Sequence, residues 1–253
     1  MIKVVIIGAG NVAGHLYQSF KKTEQINVIQ VFNRNIDKID FTDRSTRKSS
    51  NFDEIEDAAL YILAVKDEAI PEVANNLTSK NGLVVHTSGS VTLDSLSKFE
   101  NHGVFYPLQS FSKNKPVDFS GIPICIEANS EKNLGLLKEV ASFLSKKVFE
   151  VNSDQRKALH LSAVFVNNFS NHLFTIAADY CREHDLPFEI LQPLIRETVS
   201  KIDSLPPFSA QTGPALRNDQ KTIDEHLSML DGDRKKIYEL ITHSIQNLHG
   251  KKL

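Results

Sequence analysis

The sequence predicts an α/β fold, a doubly wound and mostly parallel sheet followed by a smaller all-α domain. Short β-branched runs alternate with polar or amphipathic segments from residue 2 to about residue 151, which is the pattern of βαβ units around a buried sheet. No strand-like segment appears after residue 153. We therefore expect a sheet domain over residues 1–152 and a helical domain over residues 153–253.

Seven short segments have the composition and spacing of strands. We predict strands at residues 2–7, 28–32, 60–65, 83–87, 103–106, 122–126 and 148–151. One long helical run follows at residues 154–184. Residues 204–214 contain three prolines and a glycine, so they predict an ordered loop, and helices are expected near residues 222–230 and 233–248.

Composition narrows the class of protein. The chain has 253 residues and a formal net charge of -2, so we expect a small-molecule partner and neither nucleic acid nor an acidic membrane. Cys125 and Cys181 lie in apolar stretches without ligand spacing, which indicates a reducing compartment and no metal site. Neither a signal segment nor a membrane span is visible, and a cytoplasmic location is expected.

A glycine fingerprint follows the first predicted strand. Gly8, Gly10 and Ala13 form a GxGxxA pattern where a strand meets a helix. Gly8 permits the tight turn, Gly10 lets backbone approach a pyrophosphate, and Ala13 keeps the helix close to the sheet. Asn11 and Val12 open that helix, whose free N–H groups favour phosphate. The pattern predicts a dinucleotide-binding Rossmann unit, and a glycine-rich turn without a ligand is the structural alternative.

The end of the second predicted strand indicates which dinucleotide is bound. NAD-binding units usually place Asp or Glu there, to accept hydrogen bonds from the adenosine ribose. This sequence has Asn33 and Arg34 instead. Arg34 can pair with a 2′-phosphate that a carboxylate would repel, and the further cations nearby are Arg44, Arg47 and Lys48. We expect NADP in preference to NAD; alternatively, Arg34 is a solvated loop charge.

Two more strand ends supply candidate residues, since cofactors in such folds lie across the carboxyl ends of strands. The candidates for the nicotinamide half are Ala64, Val65, Lys66, Thr87, Ser88 and Gly89. His86 is placed for proton transfer beside hydride transfer. The alternatives are a solvated Lys66, a helix cap formed by Ser88 and Gly89, and a structural His86.

The long helix is apolar around most of its circumference, and we expect it to be mostly buried. At about 100° per residue, one sector holds Lys157, His160, Asn167, Asn168 and Asn171. Amides and an imidazole favour a site wall over a solvated face, and a polar seam between helices or subunits is the alternative. We predict His160 or Lys157 as the acid/base and Asn167 and Asn168 as substrate-orienting donors.

A polar loop in the helical domain, residues 211–219, contains Arg217. Its guanidinium can hold a substrate carboxylate in a bidentate contact. In the competing interpretation Arg217 pairs with Asp219 or another acid, within the helical domain or across a dimer interface.

A family resemblance covers residues 2–245 and is carried by six segments, GAGNVAGHL, LAVKDEAI, HTSGS, YPLQSF, HLSAVFVNNFSNHL and QTGPALRND. Together they resemble a bacterial family of Rossmann-like NADP oxidoreductases with a C-terminal helical domain of unknown function. The front half is more distantly similar to pyrroline-5-carboxylate reductase. The long helix is similar to its counterpart in prephenate dehydrogenases and other 6-phosphogluconate dehydrogenase-like enzymes. The resemblance implies that the helical domain builds the substrate site, commonly within a homodimer.

One departure affects the expected chemistry. In β-hydroxyacid dehydrogenases a catalytic Lys on this helix is followed four residues later by Asn, whereas Lys157 is followed at that spacing by Leu161. His160 is a candidate replacement. We expect an NADP-dependent oxidoreductase that transfers a hydride between nicotinamide and a carbonyl or imine carbon of a small anionic substrate. The alternative is an NADP-binding sensor or scaffold without turnover.

Overall fold

The computed structural model describes residues 1–78, 80–113 and 115–250. The chain divides into two compact units, Met1–Asn168 and Phe169–Leu253, whereas the predicted boundary lies at residue 152. The helix that begins at Ser153 starts within the first unit because its N-terminus is tied to the sheet. The backbone N–H and the hydroxyl of Ser153 both donate to the Glu127 carboxylate, each at 2.9 Å.

An eight-stranded sheet forms the first unit. Its strands are β1 (Ile2–Ile7), β2 (Ile26–Phe32), β3 (Arg47–Ser49), β4 (Leu60–Leu63), β5 (Leu83–His86), β6 (His102–Pro107), β7 (Ile124–Ala128) and β8 (Val148–Glu150). The order is β3-β2-β1-β4-β5-β6-β7-β8, and among the described strands only β6 and β7 pair antiparallel. This confirms the predicted doubly wound, mostly parallel sheet. The strand order reverses between β1 and β4, where such sheets bind ligands.

All seven predicted strands are present, and no end is shifted by more than two residues. The prediction missed β3, which consists of Arg47, Lys48 and Ser49 and pairs only with β2. A three-residue polar strand carries no hydrophobic alternation, and an edge strand does not need one because it has a single neighbour.

The helices of the first unit are α1 (Asn11–Phe20), α2 (Ile70–Asn76), α3 (Glu131–Ser142) and α4 (Ser153–Ala163). Two apolar clusters pack on opposite faces of the sheet because side chains alternate along each strand. Along β1, Val4 and Ile6 belong to one cluster, and Val5 and Ile7 belong to the other. A π-helical segment, Val164–Phe169, follows α4.

The second unit contains α5 (Ser170–Glu183), α6 (Gln192–Lys201), α7 (Pro207–Ala210), α8 (Gln220–Ser228) and α9 (Gly232–Gly250). The expectation of a mostly buried long helix is wrong for the single chain, because no residue of α5 is buried and Leu161 on α4 is 58% exposed. Several apolar side chains of this helix therefore remain exposed to solvent in the described part of the chain. Within the described residues, no helix has the length and apolar character to cross a bilayer.

Candidate functional site

The turn between β1 and α1 has the shape that the glycine pattern requires. Gly8 has a φ of +130°, and a Cβ there would lie 2.1 Å from the carbonyl oxygen of Ala64. Gly10 is the N-cap of α1 and has no side chain to cap it, while a Cβ at this position would meet no atom within 4 Å. Ala13 is fully buried. The first N–H groups of α1 therefore face open space beside Gly10 and can bind an anion.

A cleft of about 880 Å³ lies at the carboxyl ends of β1, β2, β4 and β5. The predicted cofactor residues that line it are Gly8, Gly10, Asn11, Val12, Asn33, Arg34, Ala64, Val65, Lys66 and Thr87. Three others, Ala13, Ser88 and Gly89, are not among the described residues of its lining. Gln109 and Phe111, from the segment after β6, also line the cleft. The side chain of Asn11 donates to the Phe111 carbonyl at 2.8 Å, which holds that segment beside α1.

The cations near Arg34 are arranged differently from the prediction. Arg47 pairs with two glutamates outside the cleft, and Lys48 donates to the backbone carbonyl of Ile39. Lys38 lines the cleft beside Arg34 but was not selected from the sequence. Its position four residues after Arg34, in a short 3-10 turn at Ile36–Lys38, could have indicated it.

His86 is fully buried at the end of β5. Its Nδ1 accepts from the backbone N–H of Ser88 at 3.2 Å, and its Nε2 lies 3.3 Å from the carbonyl of Thr92. A backbone N–H only donates and a carbonyl only accepts, so the ring proton resides on Nε2. Burial, assisted by the charge of Arg156, lowers the pKa of His86 to about 4. The imidazole is therefore neutral near pH 7 and holds the loop at residues 88–92.

His160 contacts a residue that sequence reasoning missed. The hydroxyl of Tyr106, on β6, lies 3.0 Å from Nδ1 of His160. The two rings meet edge to face, with centroids 6.1 Å apart. Burial raises the pKa of Tyr106 to about 12. Tyr106 lies in the YPLQSF segment, but a tyrosine within a strand more often serves the packing of the sheet than a functional site.

Gly89 provides the space that His160 occupies. A Cβ at Gly89 would lie 2.6 Å from Nδ1 of His160 and 2.9 Å from the Tyr106 ring. Thr87, two residues earlier, lines the cleft. One short segment after β5 therefore contacts the cleft at one end and the Tyr106–His160 pair at the other.

Arg156 is a second residue that the sequence analysis missed. Its side chain is fully buried and pairs with the Glu127 carboxylate, while its Nη2 donates to the Val91 carbonyl at 2.6 Å. Arg156 and His160 are separated by four residues, about one turn of α4. The buried ion pair therefore fixes the start of α4 against both β7 and the loop after β5, and so positions His160.

The other predicted residues lie in more open surroundings. Lys157, Asn167 and Asn168 are exposed, and the two asparagines lie in the π-helical segment. The i→i+5 hydrogen bonds of a π-helix change the angle between successive side chains. The predicted polar sector, which assumes about 100° per residue, therefore does not continue through this segment. Arg217 lies in the second unit, with its guanidinium 3.9 Å from Asp219, the partner that the competing interpretation named.

Two family models match different parts of the chain. A family model described as NADP oxidoreductase, coenzyme F420-dependent, matches residues 3–89. Another, described as a domain of unknown function (DUF2520), matches residues 122–245. A crystal structure of a putative NADP oxidoreductase from Bacteroides fragilis has 38% sequence identity and a TM-score of 0.87, over 97% of this chain and 98% of that one. This chain belongs to that oxidoreductase family.

More distant structures share the fold of the family. Pyrroline carboxylate reductase from Plasmodium falciparum, solved with NADP bound, has 13% identity and a TM-score of 0.63, with 98% of each chain covered. An imine reductase from Streptomyces aurantiacus has 14% identity and a TM-score of 0.69, over 98% of this chain and 95% of that one. A search among curated proteins finds no match. The predicted family resemblance is confirmed.

Proposed function

We propose that this chain is an NADP-dependent oxidoreductase that transfers a hydride between nicotinamide and a carbonyl or imine carbon of a small anionic substrate. One observation carries the proposal. Thr87 lines the cleft, and Gly89, two residues later, packs against the Tyr106–His160 pair. This places the cleft proposed for the nucleotide near a group proposed to move a proton, as such a reaction requires.

The residues of the cleft fit NADP. Its volume of about 880 Å³ lies within the range of cofactor sites, and the α1 N-terminus beside Gly10 would hold the pyrophosphate. Arg34 and Lys38 would bind the 2′-phosphate, for which the guanidinium is well suited. When bound, the reduced nicotinamide supplies the hydride. The family membership and the reductases of the same fold support this assignment.

Within this proposal His160 acts as the acid/base through Nε2, because Nδ1 is bonded to Tyr106. Among the described residues Nε2 of His160 has no hydrogen-bond partner. In the reductive direction the doubly protonated imidazole gives its Nε2 proton to the carbonyl oxygen or imine nitrogen of the substrate and becomes neutral, and solvent then restores that proton. Tyr106 orients the imidazole, as the partner of a catalytic histidine does.

The other predicted roles stay predictions. Asn167 and Asn168 would orient the substrate, Arg217 would bind its carboxylate, and Lys157 is the second candidate acid/base. The hydrogen bonds of His86 favour a positioning role over the predicted transfer of a proton.

Binding and turnover test the proposal separately. Titration with NADPH and NADH, followed by nicotinamide fluorescence, should give tighter binding of NADPH. A panel of keto acids and cyclic imines with a carboxylate should include at least one compound that consumes NADPH. Binding without turnover in either direction would favour a sensor or scaffold, and tighter binding of NADH would contradict the cofactor assignment.

We also propose that the chain forms a homodimer through its second unit. Within the described part of that unit, Ala215 and Ile223 are the only buried apolar residues. Its large exposed apolar side chains include Leu173, Leu186, Ile190, Leu194, Val199, Ile202, Leu240 and Leu248. So small a core, together with apolar surface of this extent, is typical of a unit that buries further surface on association. A second copy, joined by two-fold symmetry, would cover them.

Light scattering and sedimentation test the dimer. Wild-type chain should have twice the monomer mass, and Leu194→Glu, at a position 61% exposed, should dissociate it because a charge enters an apolar interface. Ser200→Glu adds the same charge on α6 and is the control. A monomeric wild-type chain would contradict the proposal.

A cytoplasmic location belongs to the same proposal. Cys125 and Cys181 are both unpaired, as expected in a reducing compartment. Fractionation of the source cells should find the protein with cytoplasmic markers.

A further inference from the structure

Two cations of the cleft are matched by acidic side chains from one segment. Nη1 of Arg34 lies 2.9 Å from Oε1 of Glu72, and Nζ of Lys66 lies 3.9 Å from Oε1 of Glu68. Lys38 forms no ion pair within the described part of the chain. All five residues line the cleft, and both glutamates follow β4. The positive charge predicted to select NADP is therefore partly neutralised inside its own site.

Glu72 contacts Arg34, the residue that we expect to bind the 2′-phosphate. It lies in the first turn of α2, where the helix dipole favours an acidic side chain, and its carboxylate contacts Arg34 at the end of β2. NAD-binding units carry a carboxylate at the end of that strand. Here the strand supplies Asn33 and Arg34, while α2 brings a carboxylate to the same place.

We propose that Glu72 is a specificity-determining residue that limits the preference for NADP over NAD. The inference rests on the proposed function, because it takes the cleft to be the cofactor site. Arg34 favours the 2′-phosphate and Glu72 opposes it. The balance between the two residues sets the ratio of the two affinities.

NADP must compete with Glu72 for Arg34. Its 2′-phosphate carries about two negative charges near neutral pH and must take Arg34 away from Glu72. The phosphate then lies beside a carboxylate that has lost its partner. The cost is moderate because both side chains are more than half exposed, and solvent weakens exposed ion pairs.

NAD has no 2′-phosphate and does not compete with Glu72 for Arg34. Its ribose presents hydroxyls where NADP presents a phosphate, and a carboxylate accepts hydrogen bonds from them. Arg34 does not have to leave Glu72 for this contact. Loss of the Glu72 charge therefore strengthens NADPH binding and leaves NADH binding unchanged or slightly weaker.

The test is Glu72→Gln, which keeps the length of the side chain and removes its charge. Dissociation constants for NADPH and NADH, measured by nicotinamide fluorescence at fixed ionic strength, should show the ratio moving toward NADPH by about threefold to tenfold. Glu68→Gln is the matched control, because it removes one charge from the same cleft and the same segment. It should change the ratio by less than about twofold.

Arg34→Ala separates this inference from the proposed function. In the Arg34→Ala background, Glu72→Gln should still move the ratio toward NADPH, because the repulsion between the carboxylate and the 2′-phosphate remains. The shift should be smaller than in the wild type, because no competition for Arg34 is left to relieve. If Arg34→Ala weakens NADPH binding while Glu72→Gln leaves the ratio unchanged, the inference about Glu72 is overturned and the cofactor assignment stands. If the wild type binds NADH more tightly and Glu72→Gln shifts it toward NADPH, the assignment fails and the inference holds. An equal effect of Glu68→Gln would also overturn the inference, since total charge would explain it.

Discussion

The hydroxyl oxygen of Tyr106 lies 3.0 Å from Nδ1 of His160. Because burial raises the pKa of Tyr106 to about 12, the phenol keeps its proton near neutral pH and can donate it to Nδ1. A neutral His160 then carries its own proton on Nε2. The contact occupies Nδ1, so Nε2 is the ring nitrogen that is available for proton transfer.

The first prediction concerns His160→Gln, which removes the proposed acid/base. We expect kcat for reduction of the substrate to fall by about 10²-fold to 10⁴-fold, the usual contribution of a general acid. NADPH binding should stay within about twofold of the wild type, since the variant leaves the cleft lining intact. Unchanged kcat would contradict the role of His160.

The second prediction concerns Tyr106→Phe, which keeps the ring and removes the hydroxyl. We expect a smaller loss of kcat, about tenfold, because the imidazole stays in place without a fixed tautomer. The nitrogen chemical shifts of His160 should show a mixture of tautomers in the variant. Tyr180→Phe, in the second unit, is the control. Identical His160 shifts in Tyr106→Phe and wild type would rule out the orienting role.

The third prediction compares two glycines of one turn. Gly10→Ala should fold with a loss of only about 1 kcal/mol, because Ala is a poorer N-cap residue, yet it should weaken NADPH binding by about tenfold or more, because its methyl group enters the space beside the pyrophosphate. Gly8→Ala should lower the free energy of unfolding by about 3 kcal/mol or more, since the Cβ meets the backbone of Ala64 at a positive φ.

Thermal unfolding and NADPH titration of both variants check this prediction. The expected results are opposite in kind, since Gly10→Ala mainly affects binding and Gly8→Ala mainly affects stability. Normal NADPH binding by Gly10→Ala would place the pyrophosphate elsewhere.

The glycine turn and the sheet could be predicted because their signals are local. Gly8, Gly10 and Ala13 act within one turn, and each buried strand carries its own β-branched run. A chain of such units has few possible topologies, because the crossovers between parallel strands are right-handed. β3 was missed because Arg47, Lys48 and Ser49 carry no apolar pattern.

The centre of the candidate site could not be predicted in the same way. Tyr106 and His160 are 54 residues apart in sequence, and their contact depends on where β6 lies relative to α4. Arg156 has the sequence character of a solvated charge, yet its guanidinium is buried against Glu127. In the π-helical segment at Val164–Phe169, the angle per residue differs from the roughly 100° on which the predicted polar sector depends. Each of these features is decided by tertiary packing and not by local composition.

The fourth prediction concerns Gly89→Ala. The added methyl group would lie 2.6 Å from Nδ1 of His160, so the imidazole must move away from Tyr106. We expect kcat to fall by about tenfold to a hundredfold, because small displacements of catalytic groups are costly, while NADPH binding stays close to the wild type.

Gly135→Ala is the matched control for Gly89→Ala. A Cβ at Gly135 would meet nothing within 4 Å, and the position lies inside α3. This variant should be more stable by about 0.5 to 1 kcal/mol, as expected for Ala in a helix, with unchanged turnover. If both variants had the same turnover, the packing of Gly89 on His160 would have no catalytic consequence.

The fifth prediction is the pH dependence of stability that arises from His86. The folded pKa of about 4 lies below the unfolded value of about 6.5, so the unfolded chain binds more protons between these two values. Stability therefore rises with pH across this window and is lost as the pH falls through it. The full effect is about 3 kcal/mol. Protonation of Nδ1 also removes the bond from Ser88.

Urea unfolding between pH 7 and pH 4 measures this effect. His86→Asn should be less stable than wild type at pH 7, because it loses a buried ring and a hydrogen bond, but its stability should fall less on acidification. His172→Asn, at an exposed position, should follow the wild-type curve. If His86→Asn kept the wild-type pH dependence, other groups would have to supply it, and the buried neutral state of His86 would be refuted.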